Sequence, residues 1–400
     1  MLQGKKIILG ITGGIAAYKA AELTRELVKS GAVVKVIMTA NAAEFITPLT
    51  MQTLSRNPVY IKMFEPLEQT GVEHISLARE AELVVVAPAT ANLLGKVRSG
   101  IADDLLTTTI MATKAPVIFS PAMNSDMWDN PLVQENVAGL RQRGYHFIDP
   151  WSGELACNTE GAGRLPPLAE IVEEIEKVFS RKDLADQEIL ITAGPTREPF
   201  DPVRYITNHS SGKMGYALAR MARRRGAGVT LVSGPTNLTP PVGVKYIQVS
   251  TAREMRDAVL AHFDRSTVII KAAAVADYRP GNYSRQKVKK DEGPLMLTLE
   301  RNPDIIAELG NMKGARLLVG FAMETDDLII NAREKLRKKN MDLIVANHLR
   351  EEGAGFDGDT NVVTILYPDG ESRSLPRMDK GLVAEEILNI IRELLDKRRA

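Results

Sequence analysis

The 400-residue chain has a single cysteine, Cys157, which excludes an internal disulfide and points to a reducing compartment. Its five histidines, at 74, 146, 209, 262 and 348, show no metal-ligand spacing, so a structural zinc site is not expected. An excess of charge of either sign is missing as well. Lys and Arg number 51 against 50 Asp and Glu, a net +1 without the basic excess that phosphate-backbone binding leaves, and nucleic acid is not expected as the main partner. No apolar run approaches the ~20 residues that span a bilayer. Residues 1–6 pass directly into the short apolar run 7–11, with no longer apolar region and no small-residue cleavage site. These absences lead to the expectation of a reduced, cytoplasmic protein with no membrane association.

The remaining composition, 44% hydrophobic and 25% charged, is that of a globular chain, and its length allows two or three domains at roughly 100–200 residues each. Short apolar runs at 7–11, 33–38, 84–87 and 117–120 alternate with amphipathic stretches such as 16–29, the signature of βαβ units. The pattern restarts at 189–193 and continues through a helix at 214–225 and runs at 229–233, 268–274, 317–321 and 343–346. The expected fold is therefore α/β, two doubly wound, Rossmann-like three-layer domains in series with mostly parallel sheets. A helix over 168–180 followed by the polar segment Arg181-Lys182-Asp183-Leu184-Ala185-Asp186 places the boundary near 183, giving domains 1–183 and 184–400. The second domain closes with strands at 361–366 and 371–375 around Pro368-Asp369-Gly370 and a helix at 382–397.

Gly10-Ile11-Thr12-Gly13-Gly14-Ile15-Ala16-Ala17 joins the first strand to the first helix, and its glycines let backbone amides at the helix start face an anion. The spacing is not G-x-G-x-x-G, and the second strand ends in Met38-Thr39 rather than in the acid that holds an adenosine ribose. A mononucleotide phosphate suits this loop better than NAD. Two further segments, 87–92 and 121–128, follow strands at their carboxyl ends, where doubly wound sheets bind ligands.

The strings Gly13-Gly14-Ile15-Ala16-Ala17-Tyr18-Lys19, Glu73-His74-Ile75, Ala87-Pro88-Ala89-Thr90-Ala91-Asn92 and Pro121-Ala122-Met123-Asn124-Ser125-Asp126-Met127-Trp128 occur in order, and this half resembles the flavin-dependent cysteine decarboxylases. The resemblance implies FMN, with its phosphate near Gly13, Ile15 and Thr39 and its ring near Thr90 and Met127. The flavin of that family takes electrons from a cysteinyl thiol to drive loss of carbon dioxide and then returns them. It further implies that His74 is an acid/base or carboxylate-orienting residue and that Asn124 binds the substrate carboxylate. Asn124 also reads as the cap of a helix beginning near Met127. Cys157, a small buried hydrophobe in most settings, sits here in the glycine-rich segment 152–164, which fits a flap carrying a proton donor.

In the second half, Asn208-His209-Ser210-Ser211-Gly212-Lys213-Met214 feeds a helix but lacks the spacing of a P-loop. Lys271-Ala272-Ala273-Ala274-Val275-Ala276-Asp277 ends a strand in small residues that let a ligand approach the backbone. Lys287-Val288-Lys289-Lys290 concentrates positive charge, either a solvated face or a partner for phosphates. Asn302-Pro303-Asp304-Ile305 reads as a helix start with Asn302 at the cap and Pro303 at the first helical position. A helix from Thr325-Asp326-Asp327 carries Lys335 and Lys339 one turn apart.

Together with 192–196, 201–204 and 342–347, this half resembles the phosphopantothenate–cysteine ligases over nearly all of 187–376, and the whole chain resembles the bifunctional coenzyme A biosynthesis family. The resemblance implies CTP as co-substrate with Mg2+ as a phosphate clamp of unassigned ligands, and 4′-phosphopantothenate and cysteine as the other substrates. It places CTP against Ala272, Ala273, Asp277, Lys287, Asn302, Pro303, Asp304, Ile305, Phe321, Lys335 and Lys339, with Asn208 contacting the acyl-cytidylate. His348 and Pro195 depart from the usual acid and glycine at their positions. A homo-oligomer is implied, of trimeric decarboxylase and dimeric ligase units building a dodecamer. The competing readings are an NAD-dependent dehydrogenase and a non-catalytic flavin- or nucleotide-binding regulatory protein.

Overall fold

The computed structural model describes residues 2–64, 73–154, 160–289, 295–324, 328–348 and 358–399. The chain is α/β and divides into two compact units, Met1–Ser180 and Arg181–Ala400.

The first unit contains β1 (Lys6–Ile11), α1 (Lys19–Lys29), β2 (Val33–Met38), β3 (Val59–Tyr60), α2 (Glu73–Glu80), β4 (Leu83–Ala89), α3 (Ala91–Ser99), α4 (Leu105–Ala112), β5 (Val117–Pro121), β6 (His146–Phe147), a hairpin of β7 (Trp151–Glu154) and β8 (Glu160–Arg164), and α5 (Leu168–Phe179). Its sheet has the order β3-β2-β1-β4-β5-β6, with every pairing parallel. Strands covered on both faces read as unbroken apolar runs, and alternate residues divide between two cores. Ile7, Leu9 and Ile11 pack with Leu23, Leu27, Ile171 and Ile175 on one side. Ile8, Val84 and Val86 pack with Leu94, Leu106 and Phe119 on the other. The spacing Ala20, Leu23, Thr24, Leu27 buries one stripe of α1.

The second unit contains β9 (Glu188–Ala193), α6 (Lys213–Arg224), β10 (Gly228–Ser233), β11 (Lys245–Gln248), α7 (Ala252–Phe263), β12 (Val268–Lys271), α8 (Ile305–Met312), β13 (Leu317–Glu324), α9 (Leu328–Lys338), β14 (Leu343–His348), β15 (Thr360–Leu366), β16 (Ser372–Asp379) and α10 (Lys380–Arg399). The sheet order is β11-β10-β9-β12-β13-β14-β15-β16, parallel up to β14 and antiparallel beyond it. Ile189, Ile191, Leu218 and Ile387 lie in one core, and Leu190, Ile269, Val259, Leu309 and Leu336 in the other.

In both units the chain lays strands to one side of its first strand and then returns to build on the other. The reversal falls between β1 and β4 in the first sheet and between β9 and β12 in the second. Such a switch point leaves a crevice at the carboxyl ends of the two strands, and the site segments read from the sequence start there.

Candidate functional sites

At the first switch point a cavity of about 1090 Å³ opens, lined by Gly13, Ile15, Thr39, Thr90, Asn124 and Met127 among others. That volume lies just above the roughly 300–1,000 Å³ range of small-molecule pockets, room for a cofactor and a substrate together. Thr12, buried at the end of β1, donates its hydroxyl to the Pro88 carbonyl at 2.8 Å and accepts from the Thr90 N–H at 3.0 Å. This bridge fixes the Gly13 loop against the segment after β4. The sequence reading missed it, although a hydroxyl between a strand and a glycine loop is the available signal.

Glycine is required at 13 by close approach: a Cβ there would lie 2.3 Å from Asn41 Cβ and 2.8 Å from its backbone carbon. Asn41 belongs to the short helix Ala40–Ala43, whose cap is Thr39, accepting from the Ala42 N–H at 3.3 Å. The Thr39 hydroxyl keeps its proton to donate into the cavity. Two loops therefore converge as a donor-lined cradle, which fits a phosphate, and β2 ends with no acid for a dinucleotide ribose. Ile15 and Met127 are large apolar side chains left exposed, 58% and 49%, on the cavity wall, which suits a flat apolar ring.

Asn124 caps the short helix Ser125–Trp128, accepting from the Asp126 N–H at 2.8 Å, and also lines the cavity. The helix begins two residues earlier than the sequence suggests. The β7–β8 hairpin docks on this segment through glycines: the Met123 N–H donates to the Gly163 carbonyl at 3.0 Å, and a Cβ at Gly163 would lie 2.2 Å from the Met123 oxygen. Gly163, at φ +142, is also in a conformation that favours glycine. Cys157, which falls between β7 and β8 in the sequence, lies outside the described residues. Lys96 on the cavity wall is held by Asp103 at 2.7 Å and Asp104 at 3.4 Å. His74, near the start of α2, is not among the lining residues, and its buried Nδ1 has no hydrogen-bond partner among the described residues.

At the second switch point the strand ends are joined by hydrogen bonds. The Ala273 N–H donates to Thr192 Oγ1 at 3.2 Å, the Ala274 N–H to the Gly194 carbonyl at 2.9 Å and the Ala276 N–H to Thr196 Oγ1 at 3.0 Å. Asn208 Nδ2 donates to the Val275 carbonyl at 3.1 Å. Ala272, Ala273, Asn208 and Asp277 are thereby gathered at one place. Phe321, on the neighbouring strand β13, packs against the core.

Asn302 is not the helix cap. Its Nδ2 donates to the Ala276 carbonyl at 2.9 Å and its N–H to the Asp277 carbonyl at 2.8 Å, so its side chain is committed to the strand end. Asp304 caps α8 instead, accepting from the Ala307 N–H at 3.2 Å, which leaves Pro303 outside the helix and makes Ile305 its first residue. Asp304 also pairs with Lys339 at 2.9 Å. Burial opposes its ionisation, but the Lys339 ammonium and the Ala307 N–H hold its carboxyl below the usual range. The start of the helix expected from 325 lies outside the described residues. Lys339 follows the last residue of α9, its N–H donating to the Lys335 carbonyl.

Lys287 is exposed, and its position depends on a staple that the sequence does not reveal. Asp201, 1% exposed, accepts from the Val203 and Arg204 N–H groups, from the Arg204 guanidinium at 2.6 Å and from the Val288 N–H at 3.2 Å. Arg204 also donates to the Val288 carbonyl at 2.8 Å. Burial opposes ionisation of Asp201, yet the guanidinium and the three N–H groups outweigh it and hold the carboxyl far below the usual range. Among the described residues no three His, Cys, Asp or Glu side chains gather to hold a metal. No helix among them is long and apolar enough to cross a membrane.

A family model described as flavoprotein matches residues 1–180, and one described as DNA/pantothenate metabolism flavoprotein C-terminal domain matches 184–395. The chain is 50% identical over 397 residues to the coenzyme A biosynthesis bifunctional protein CoaBC of Vibrio vulnificus (strain YJ016), covering 98% of this chain and 99% of that one. To the protein of the same name from Bacillus subtilis (strain 168) it is 50% identical over 398 residues, 98% of each. A crystal structure of the C-terminal domain of such a protein is 46% identical, with a TM-score of 0.47, covering 54% of this chain and 99% of that one.

Proposed function

The chain belongs to the family of coenzyme A biosynthesis bifunctional proteins, and on that premise we propose how its two units divide the work. The enzyme joins cysteine to 4′-phosphopantothenate and decarboxylates the phosphopantothenoylcysteine to 4′-phosphopantetheine. Residues 1–183 carry the decarboxylation and 184–400 the ligation, in the cytoplasm.

In the first unit FMN, when bound, accepts and returns the electron pair that makes loss of carbon dioxide from the cysteinyl group feasible. The amides at Gly13 and Ile15 and the Thr39 hydroxyl would hold its phosphate, and Thr90 and Met127 would border its ring. Asn124, fixed by its capping bond, binds the substrate carboxylate, and Cys157 supplies a proton. His74 lies off the cavity of its own chain, which supports an oligomer that delivers His74 to a neighbour's cavity; the family resemblance makes that oligomer trimeric in this unit and dimeric in the ligase unit. The observation carrying this reading is the convergence of the glycine cradle, Thr39, Thr90, Asn124 and Met127 on one cavity at the switch point.

In the second unit CTP would occupy the crevice between the ends of β9 and β12, where Mg2+ brought in with it would offset phosphate charge. Ala272, Ala273, Asp277, Asn302, Pro303, Asp304, Ile305, Phe321, Lys335 and Lys339 surround it, and Lys287 offsets phosphate charge. The substrate carboxylate attacks the α-phosphorus, pyrophosphate leaves, and Asn208 holds the acyl-cytidylate until the cysteine amine displaces CMP.

The test has two parts. Purified protein should release FMN on denaturation, and pyrophosphate should appear from CTP and phosphopantothenate before cysteine is added. Protein that is colourless and takes up no FMN overturns the first assignment. Better turnover with ATP than with CTP overturns the second.

A further inference from the structure

Lys271 is the last residue of β12, at the switch point of the second sheet. Strand alternation puts its side chain on the same face as Ile269, the face covered by α7, α8 and α9. The charged groups acting on it there are Asp304 at the cap of α8, Lys335 and Lys339 of α9 and its C-terminal end, and Asp277 just beyond its own strand. Its strand partners, Thr192 and Gly320, are uncharged. Lys271 makes no ion pair among the described residues, whereas the neighbouring Asp304 is already taken by Lys339.

Half-buried at the strand end and with no ion pair of its own among the described residues, this ammonium carries a charge that an anionic ligand in the crevice would offset. Resting on the reading that this crevice takes CTP, we infer that Lys271 is a further ligand-binding residue of the ligase site, whose ammonium engages the phosphates of the nucleoside triphosphate. Lys271, Lys335 and Lys339 then bring three cations to the phosphates, against Asp304 and Asp277. Desolvation, with the Lys339 charge beside it, pushes the Lys271 ammonium down to about 8 before any ligand arrives. Contact with phosphate restores the proton, so CTP binding is coupled to proton uptake. The neutral cytosine and ribose lack the charge to do the same.

The experiment is calorimetric titration of the full-length protein with Mg–CTP at pH 8 and pH 9, each in two buffers of different ionisation enthalpy. A group half-protonated at pH 8 takes up about half a proton per CTP there and nearly one at pH 9. Lys271→Arg, always charged, should still bind CTP and show no such uptake. Lys271→Met should lose the uptake and bind CTP about ten- to a hundredfold more weakly, with FMN content and decarboxylation unchanged. Cytidine should bind without uptake. Uptake unchanged in Lys271→Arg, or equally large with cytidine, overturns the inference, and the Arg variant decides the matter even if the Met variant folds poorly. Wild-type protein that binds no CTP overturns the underlying nucleotide reading instead.

Discussion

Replacing Gly13 with Ala puts a methyl group 2.3 Å from Asn41 Cβ and 2.9 Å from its carbonyl oxygen. Neither atom can rotate away, because Asn41 is part of the short helix capped by Thr39. The two loops must separate by about 1 Å, and overpacking of this kind costs about 1–3 kcal/mol. In the proposed function they are also the two jaws of a phosphate cradle, so the same movement would draw the Thr39 hydroxyl away from an anion held by the Gly13 amide. Loss of one charge-assisted hydrogen bond, about 1.5–3 kcal/mol, corresponds to FMN affinity lower by roughly 10- to 150-fold. The assay is fluorescence titration of apoprotein with FMN, beside thermal unfolding and CTP-dependent pyrophosphate release. Gly14→Ala is the packing control, since a Cβ there meets only the Thr90 methyl, at 3.8 Å. The expected pattern is a destabilised, flavin-poor Gly13→Ala with normal ligation, and a Gly14→Ala as stable as the wild type. Gly13→Ala protein that binds FMN with wild-type affinity would refute the cradle.

Asp201→Asn should raise KM for CTP several-fold and leave decarboxylation untouched, because it loosens the staple that seats the Lys287 segment. The Asp201 carboxyl is held below its unfolded value, so its contribution is complete above that value and fades only as pH falls through the folded one. CTP affinity in steady-state assays should therefore show no loss from this group between pH 8 and 5. Cys157→Ser should stop decarboxylation with FMN still bound, whereas Lys287→Gln should stop ligation alone; a Cys157→Ser enzyme with normal product yield removes the proposed proton donor. His74→Gln and Asn124→Ala, each inactive in decarboxylation, should regain activity when refolded together as mixed oligomers. Absence of rescue would place His74 in its own chain's site.

Much of the architecture was legible because parallel strands buried on both faces leave apolar runs, such as 83–87 and 189–191, and because helices start at recognisable caps. The glycine loop was legible as a contiguous string after the first strand, although what demands glycine at 13 is the approach of Asn41, 28 residues away. Reading fails where a residue has two local options and a distant partner chooses. Asn302 followed by Pro303 is a sound cap signal, but the free carbonyls of Ala276 and Asp277 claim Asn302, and the cap passes to Asp304. Asp201 and Arg204 are noticeable as a motif, yet their role depends on Val288, 87 and 84 residues away.

Sequence alone determined the two α/β units, the glycine-rich loop after the first strand and the family, since each follows from periodicity, composition or strings of residues. Tertiary structure decided which strand ends meet. Only the reversal of strand order puts Thr12 beside Thr90, Asn208 beside Val275, and Lys271 at the centre of a charged cluster. It also kept His74 off the cavity of its own chain. The physical reason is that strand pairing and desolvation are set by neighbours distant in the chain, and they leave no mark on local residue spacing.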